Sequence, residues 1–66
     1  MTTILKDNKD IYTVHFNELE CDNIKYNSLD LAKSLCRMRL GYNIWFFKIP
    51  FKTKWVVINN FLNIFI

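Results

Sequence analysis

YNIWFFKIPFKTKWVVIN, Tyr42 to Asn59, is the stretch whose reading decides the fold. Its two runs, Ile44 to Ile49 and Lys54 to Asn59, are rich in aromatic and β-branched residues, which fit a pleated surface. Between them Pro50, Phe51, Lys52 and Thr53 make a connection of hairpin length. A β-hairpin is the expectation. Alternation sets Ile44 and Phe46 against Trp45, Phe47 and Ile49 in the first strand, and Val56 and Ile58 against Trp55 and Val57 in the second. Both faces are apolar, as in a strand covered on both sides.

Immediately before the hairpin the hydrophobic period changes from two to roughly 3.6. In LDLAKSLCRMRL, residues Leu29, Ala32, Leu35, Cys36 and Leu40 form one broad stripe, widened by Leu31 and Met38. Asp30, Lys33, Ser34 and Arg37 fall on the opposite side. This predicts an amphipathic helix of about 13 residues, about 20 Å long at 1.5 Å per residue. Asn27 or Ser28 can cap its start, with Asp30 as a short capping-box acid. Gly41, the one glycine, stands where a left-handed C-cap belongs, and Arg37 and Arg39 suit the negative end of the helix dipole.

Farther toward the N-terminus, Ile11 to Phe16 alternates, with Tyr12, Val14 and Phe16 as the more apolar face. Asn17 to Glu20 reads as a connection. Cys21 to Asn27 reads as a second strand that turns Ile24 and Tyr26 inward. Met1 to Lys9 is polar, unpatterned and expected to be loosely held. Beyond the hairpin, Asn59 and Asn60 signal a turn. FLNIFI, Phe61 to Ile66, then forms a short edge strand on strand four or one turn of helix. The fold class is α+β. One domain spans residues 1 to 66, a small antiparallel sheet of four or five strands with one helix on one face, in the order ββαββ(β).

A chain of 66 residues buries only roughly 60% of the surface that its unfolded form exposes, so its core is small. Eleven aromatic residues compensate, either within the core or against a partner. One short helix covers one sheet face, yet the hairpin is apolar on two. The second face calls for the tail Phe61 to Ile66 folded across it, a homodimer joined by Trp45, Phe47, Trp55 and Val57, or a different partner anchored by the tryptophans. Left open, such a face marks a binding site.

Charge is divided along the chain. Residues 1 to 30 carry six acids and three bases, whereas residues 31 to 66 carry six bases and no acid. That polarity favours an anionic partner, either an acidic protein surface or nucleic acid. Partner contacts are expected at Trp45, Phe47, Lys48, Phe51, Lys52, Lys54 and Trp55, with Lys33, Arg37 and Arg39 as a secondary basic surface.

Catalytic signals are missing. His15 is the only histidine, Cys36 lies on the helix's apolar stripe, and Cys21 has no activating base apparent from spacing. His15, Cys21 and Cys36 match no zinc-site spacing, and a single glycine cannot build a phosphate loop. No enzyme activity, metal, cofactor or small-molecule substrate is expected. Reduced thiols and the lack of a signal-like start point to a cytoplasmic protein. The longest uncharged run, Trp55 to Ile66, is too short for a membrane span of about 20 residues.

Residues with A/T-rich codons (Phe, Tyr, Met, Ile, Asn, Lys) far outnumber Gly, Ala, Arg and Pro. An AT-rich genome, such as that of a phage or mobile element, accounts for this bias. The sequence thus points to a non-catalytic protein-binding module that inhibits a host defence, toxin or regulatory protein in the host cytoplasm. The alternatives are a homodimeric structural protein and a small binder of RNA or single-stranded DNA, since cations interleaved with aromatics suit base stacking.

Overall fold

The computed structural model describes residues 1–66. Its elements are β1 (Thr3–Lys6), β2 (Tyr12–His15), α1 (Leu29–Leu40), β3 (Ile44–Lys48), β4 (Lys54–Asn59) and β5 (Ile64–Phe65). The five strands form one antiparallel sheet ordered β2-β1-β4-β3, with β5 also on β4, and α1 joins β2 to β3. An α+β domain of order ββαββ(β) is therefore what the chain forms.

The two chain ends meet against the middle of β4. β1 pairs with Lys54 to Val56, and β5 pairs with Ile58 and Asn59. Between them the Val57 N–H donates to the Thr2 carbonyl (3.1 Å) and the Ile66 N–H donates to the Val57 carbonyl (3.1 Å). Thr2, which is buried, closes the seam by donating its N–H to the Ile66 carbonyl at 2.8 Å.

Two sequence expectations need correction here. Met1 to Lys9 is not a loose end, because Thr3 to Lys6 is an interior strand and Ile4 is fully buried. Its alternation is too short to stand out locally, and its partners are remote in sequence. Cys21 to Asn27 is not a continuous strand either. It touches β2 only through the bridges His15 with Cys21 and Tyr12 with Tyr26, whose registers differ by two residues. The chain between them bows outward around Asp22, whose carboxylate accepts from the Ile24 N–H (3.2 Å) and the Tyr26 hydroxyl (2.7 Å). Ile24 is exposed as a result, while Tyr26 packs on the core.

The helix follows its sequence signals closely. The Ser28 hydroxyl accepts from the Leu31 N–H at 3.2 Å, satisfying one of the donors a helix start leaves free. Gly41 ends it at φ 96°, donating its N–H to the Arg37 carbonyl at 2.8 Å. A side chain there would meet no neighbour, so backbone conformation alone calls for glycine. Ala32 and Cys36 are buried and Leu29, Leu35 and Leu40 pack beside them, but Leu31 and Met38 are exposed. A four-stranded floor receives a narrower stripe than the sequence offers. The core lies between α1 and one sheet face, where Ile4, Val14 and Val57 meet Ala32 and Cys36, with Phe16, Ile44 and Trp55 around them.

Burial pushes the Cys36 thiol up to about 11 from its ordinary 9.0. Burial, then the hydrogen bond to Asp22, pushes the Tyr26 hydroxyl up to about 12. Both groups lose their protons more readily unfolded than folded, so their contribution is complete at neutral pH and is lost as pH rises through the folded values. For Cys36 the loss is on the order of 2 kcal/mol. Urea midpoints should therefore fall between pH 9 and 11, and Cys36→Ala should flatten that part of the curve. An unchanged slope in the variant would refute this origin.

Candidate functional site

The register of the central strands sorts the side chains into two faces. Phe47 pairs with Val56, Trp45 with Ile58, and Phe65 with Ile58, so these side chains share the face away from α1. Phe46 pairs with Val57, Lys48 with Trp55, and Ile4 with Trp55 on the helix face. Trp55 and Val57 thus do not join Trp45 and Phe47 on an open face, as the sequence expectation had them. Trp55 is 9% exposed, and its ring lies 5.8 Å from that of Tyr12.

The tail does not cover the open face. It lies in the plane of the sheet as β5 and adds Phe65 to that face instead. Trp45, Phe47 and Phe65 are 59%, 58% and 63% exposed. Since an aromatic side chain carries about 150–250 Å², these three alone present on the order of 350 Å². That is already the size of the largest apolar patch on an ordinary monomer, about 300–600 Å². A shallow depression of about 580 Å³ lies between Phe47 and Phe65, lined by these two with Met1, Ile49, Val56 and Ile58, all of them apolar.

The predicted cations divide among three places. Lys54 pairs with Leu5 on the outer face, and Lys52 and Phe51 sit in the hairpin loop. Phe51 is fully exposed with φ 63°, a conformation uncommon for a bulky residue. The loop is tied to the end of β1 by Lys6 N–H to the Thr53 carbonyl and Thr53 hydroxyl to the Lys6 carbonyl, both 2.9 Å. Lys48 ends β3, where the Lys33 Nζ and the Arg37 guanidinium lie 5.5 and 5.2 Å from the Phe46 ring. Arg39 belongs elsewhere. It pairs with Glu20 and stacks 4.3 Å from the Phe16 ring, which holds the loop after β2 against the helix. No other base of residues 31 to 66 forms an ion pair.

One juxtaposition is not visible in the sequence. Cys21 Sγ lies 3.9 Å from His15 Nε2, with the Thr13 hydroxyl 3.3 Å from the same nitrogen. His15 and Cys21 line different depressions. Their closeness follows from the bridge between them. No group of three or more His, Cys, Asp or Glu side chains is placed to hold a metal ion, and no helix is long and apolar enough to cross a membrane. No family model, curated protein or solved structure matches the chain.

Proposed function

We propose that this chain is a non-catalytic protein-binding module whose contact surface is the sheet face opposite α1, centred on Trp45 and Phe47. The observation that carries this reading is the uncovered apolar face itself, with large aromatics standing on short strands. Such side chains give contact area at little cost in conformational freedom, and Trp is over-represented among residues that dominate binding. In a phage or mobile-element setting, the partner is a host defence, toxin or regulatory protein, bound and inhibited by occlusion.

Capture from a lysate of the cell that carries the gene, with and without nuclease, tests this. A stoichiometric protein should survive nuclease, and Trp45→Ala or Phe47→Ala should weaken its binding by about 2 kcal/mol, roughly thirtyfold. Binding that is indifferent to both substitutions would refute the assignment. A second reading, single-stranded nucleic acid, draws on Phe51, which protrudes among Lys6, Lys52 and Lys54. It requires nuclease-sensitive capture, steep weakening with salt and loss in Phe51→Ala.

A further inference from the structure

We infer that the free edge of β3 accepts an extended acidic segment of the partner as an added antiparallel strand. This deepens the protein-binding reading above and rests on it.

The backbone leaves that edge open. Asn60 N–H donates to the Asn43 carbonyl (2.8 Å) and Ile49 N–H to the Lys54 carbonyl (2.9 Å), and Trp45 and Phe47 pair between them. In an antiparallel pair such bonding residues alternate with residues whose N–H and C=O point the other way. Ile44, Phe46 and Lys48 therefore present their backbone groups away from the sheet. The opposite edge is closed, because Tyr12 and Tyr26 exchange N–H to carbonyl bonds (2.7 and 2.9 Å) and Asp22 N–H reaches the Val14 carbonyl (2.8 Å). Exposed edges usually carry charge, proline or a bulge as protection against pairing. β3 has one lysine, at its end.

Side chains define what would bind. A groove of about 300 Å³ runs by the edge, with Lys33, Arg37, Ile44 and Phe46 toward the helix and Trp45 and Phe47 toward the outer face. Lys33 and Arg37 stack on Phe46 and neither they nor Lys48 are engaged in an ion pair. An added strand has a side-chain period of two. One that places acids beside Lys33, Arg37 and Lys48 and apolar groups beside Trp45 and Phe47 matches both sides at once. Strand addition of this kind takes affinity from the backbone and selectivity from alternate side chains. A second copy of this chain is the wrong occupant, since pairing β3 with β3 would bring two sets of these cations together.

A labelled seven-residue peptide alternating valine and glutamate, with valine at both ends, is the probe, followed by fluorescence anisotropy and backbone-amide NMR. Residues that face each other and bond in an antiparallel pair lie on the same face, so the glutamate N–H groups should bond to β3. Binding should shift and protect the amides of Ile44, Phe46 and Lys48. It should vanish when lysine replaces glutamate or when the glutamates are N-methylated, and persist when the inner valines are N-methylated. The double variant Lys33→Gln with Arg37→Gln, its fold checked by circular dichroism, should bind about fivefold more weakly. Equal binding of the N-methyl-glutamate peptide or of the lysine peptide would overturn the proposal, as would shifts confined to β2. Protein capture through Trp45 and Phe47 without peptide binding would refute the edge and leave the sheet-face reading standing.

Discussion

Trp55→Ala should remove about 3–5 kcal/mol of stability, the range for truncating a buried large aromatic, while Trp45→Ala should remove less than about 1 kcal/mol. A domain of this length has about 3–10 kcal/mol in all, at 0.05–0.15 per residue. The first variant will therefore be largely unfolded at room temperature or close to it, and the second will unfold cooperatively near the parent's urea midpoint. The asymmetry comes from register alone. Ile4 and Lys48 flank Trp55 on the helix face, whereas Ile58 neighbours Trp45 on the open one. Fluorescence gives a readout that does not depend on a destabilised variant. Trp45→Phe leaves Trp55 as the sole indole, which should emit to the blue and resist iodide quenching. Trp55→Phe leaves Trp45, which should emit to the red and be quenched. Similar losses of stability in the two alanine variants, or similar quenching in the two phenylalanine variants, would mean that the hairpin register is wrong.

The same two tryptophans show what the sequence could disclose. The strand limits, the four-residue loop and the alternation within each strand all follow from local chemistry. Which side of β3 matches which side of β4 does not follow from alternation, but the loop length supplies it. With Pro50 to Thr53 as the loop, Ile49 opposes Lys54, and counting back places Phe47 against Val56 and Trp45 against Ile58. That count would have put Trp55 with Phe46 in the core. Helix α1 was legible for a similar reason: its period, Ser28 and Gly41 are signals within a few residues of where they act. Of the three covers open to the second face, the tail is excluded because it lies in the sheet plane; only a face in surplus over one helix was anticipated. Its membership was not, because Met1 and Phe65 reach it only through the meeting of the two chain ends. Nor did spacing foretell that β3 would be left as an open edge while Tyr12 and Tyr26 close the far side of β2.

Ile4→Asp should abolish folding, and Leu5→Glu, which sets an acid opposite Lys54, should change stability by no more than about 1 kcal/mol. Both positions lie in β1, four residues long and flanked by polar ones, so local propensity does not separate them. Topology does. β1 stands between β2 and β4, with Ile4 fully buried between Val14 and Trp55, while Leu5 turns outward between Thr13 and Lys54. A carboxylate at position 4 would have no cation within the apolar cluster around it, and burying an unpaired charge costs more than this domain has. Protonating the introduced acid recovers part of the loss, so the variant should regain helical circular dichroism as pH falls toward 4. Ile4→Val, which keeps the shape and removes one methyl group, should cost about 0.5–1.5 kcal/mol and unfold as cooperatively as the parent. A folded Ile4→Asp protein at neutral pH would show that the N-terminal residues are dispensable. β2 would then have to be held by α1 alone, through Val14 and Phe16 against Ala32 and Cys36, rather than by a strand through the centre of the sheet.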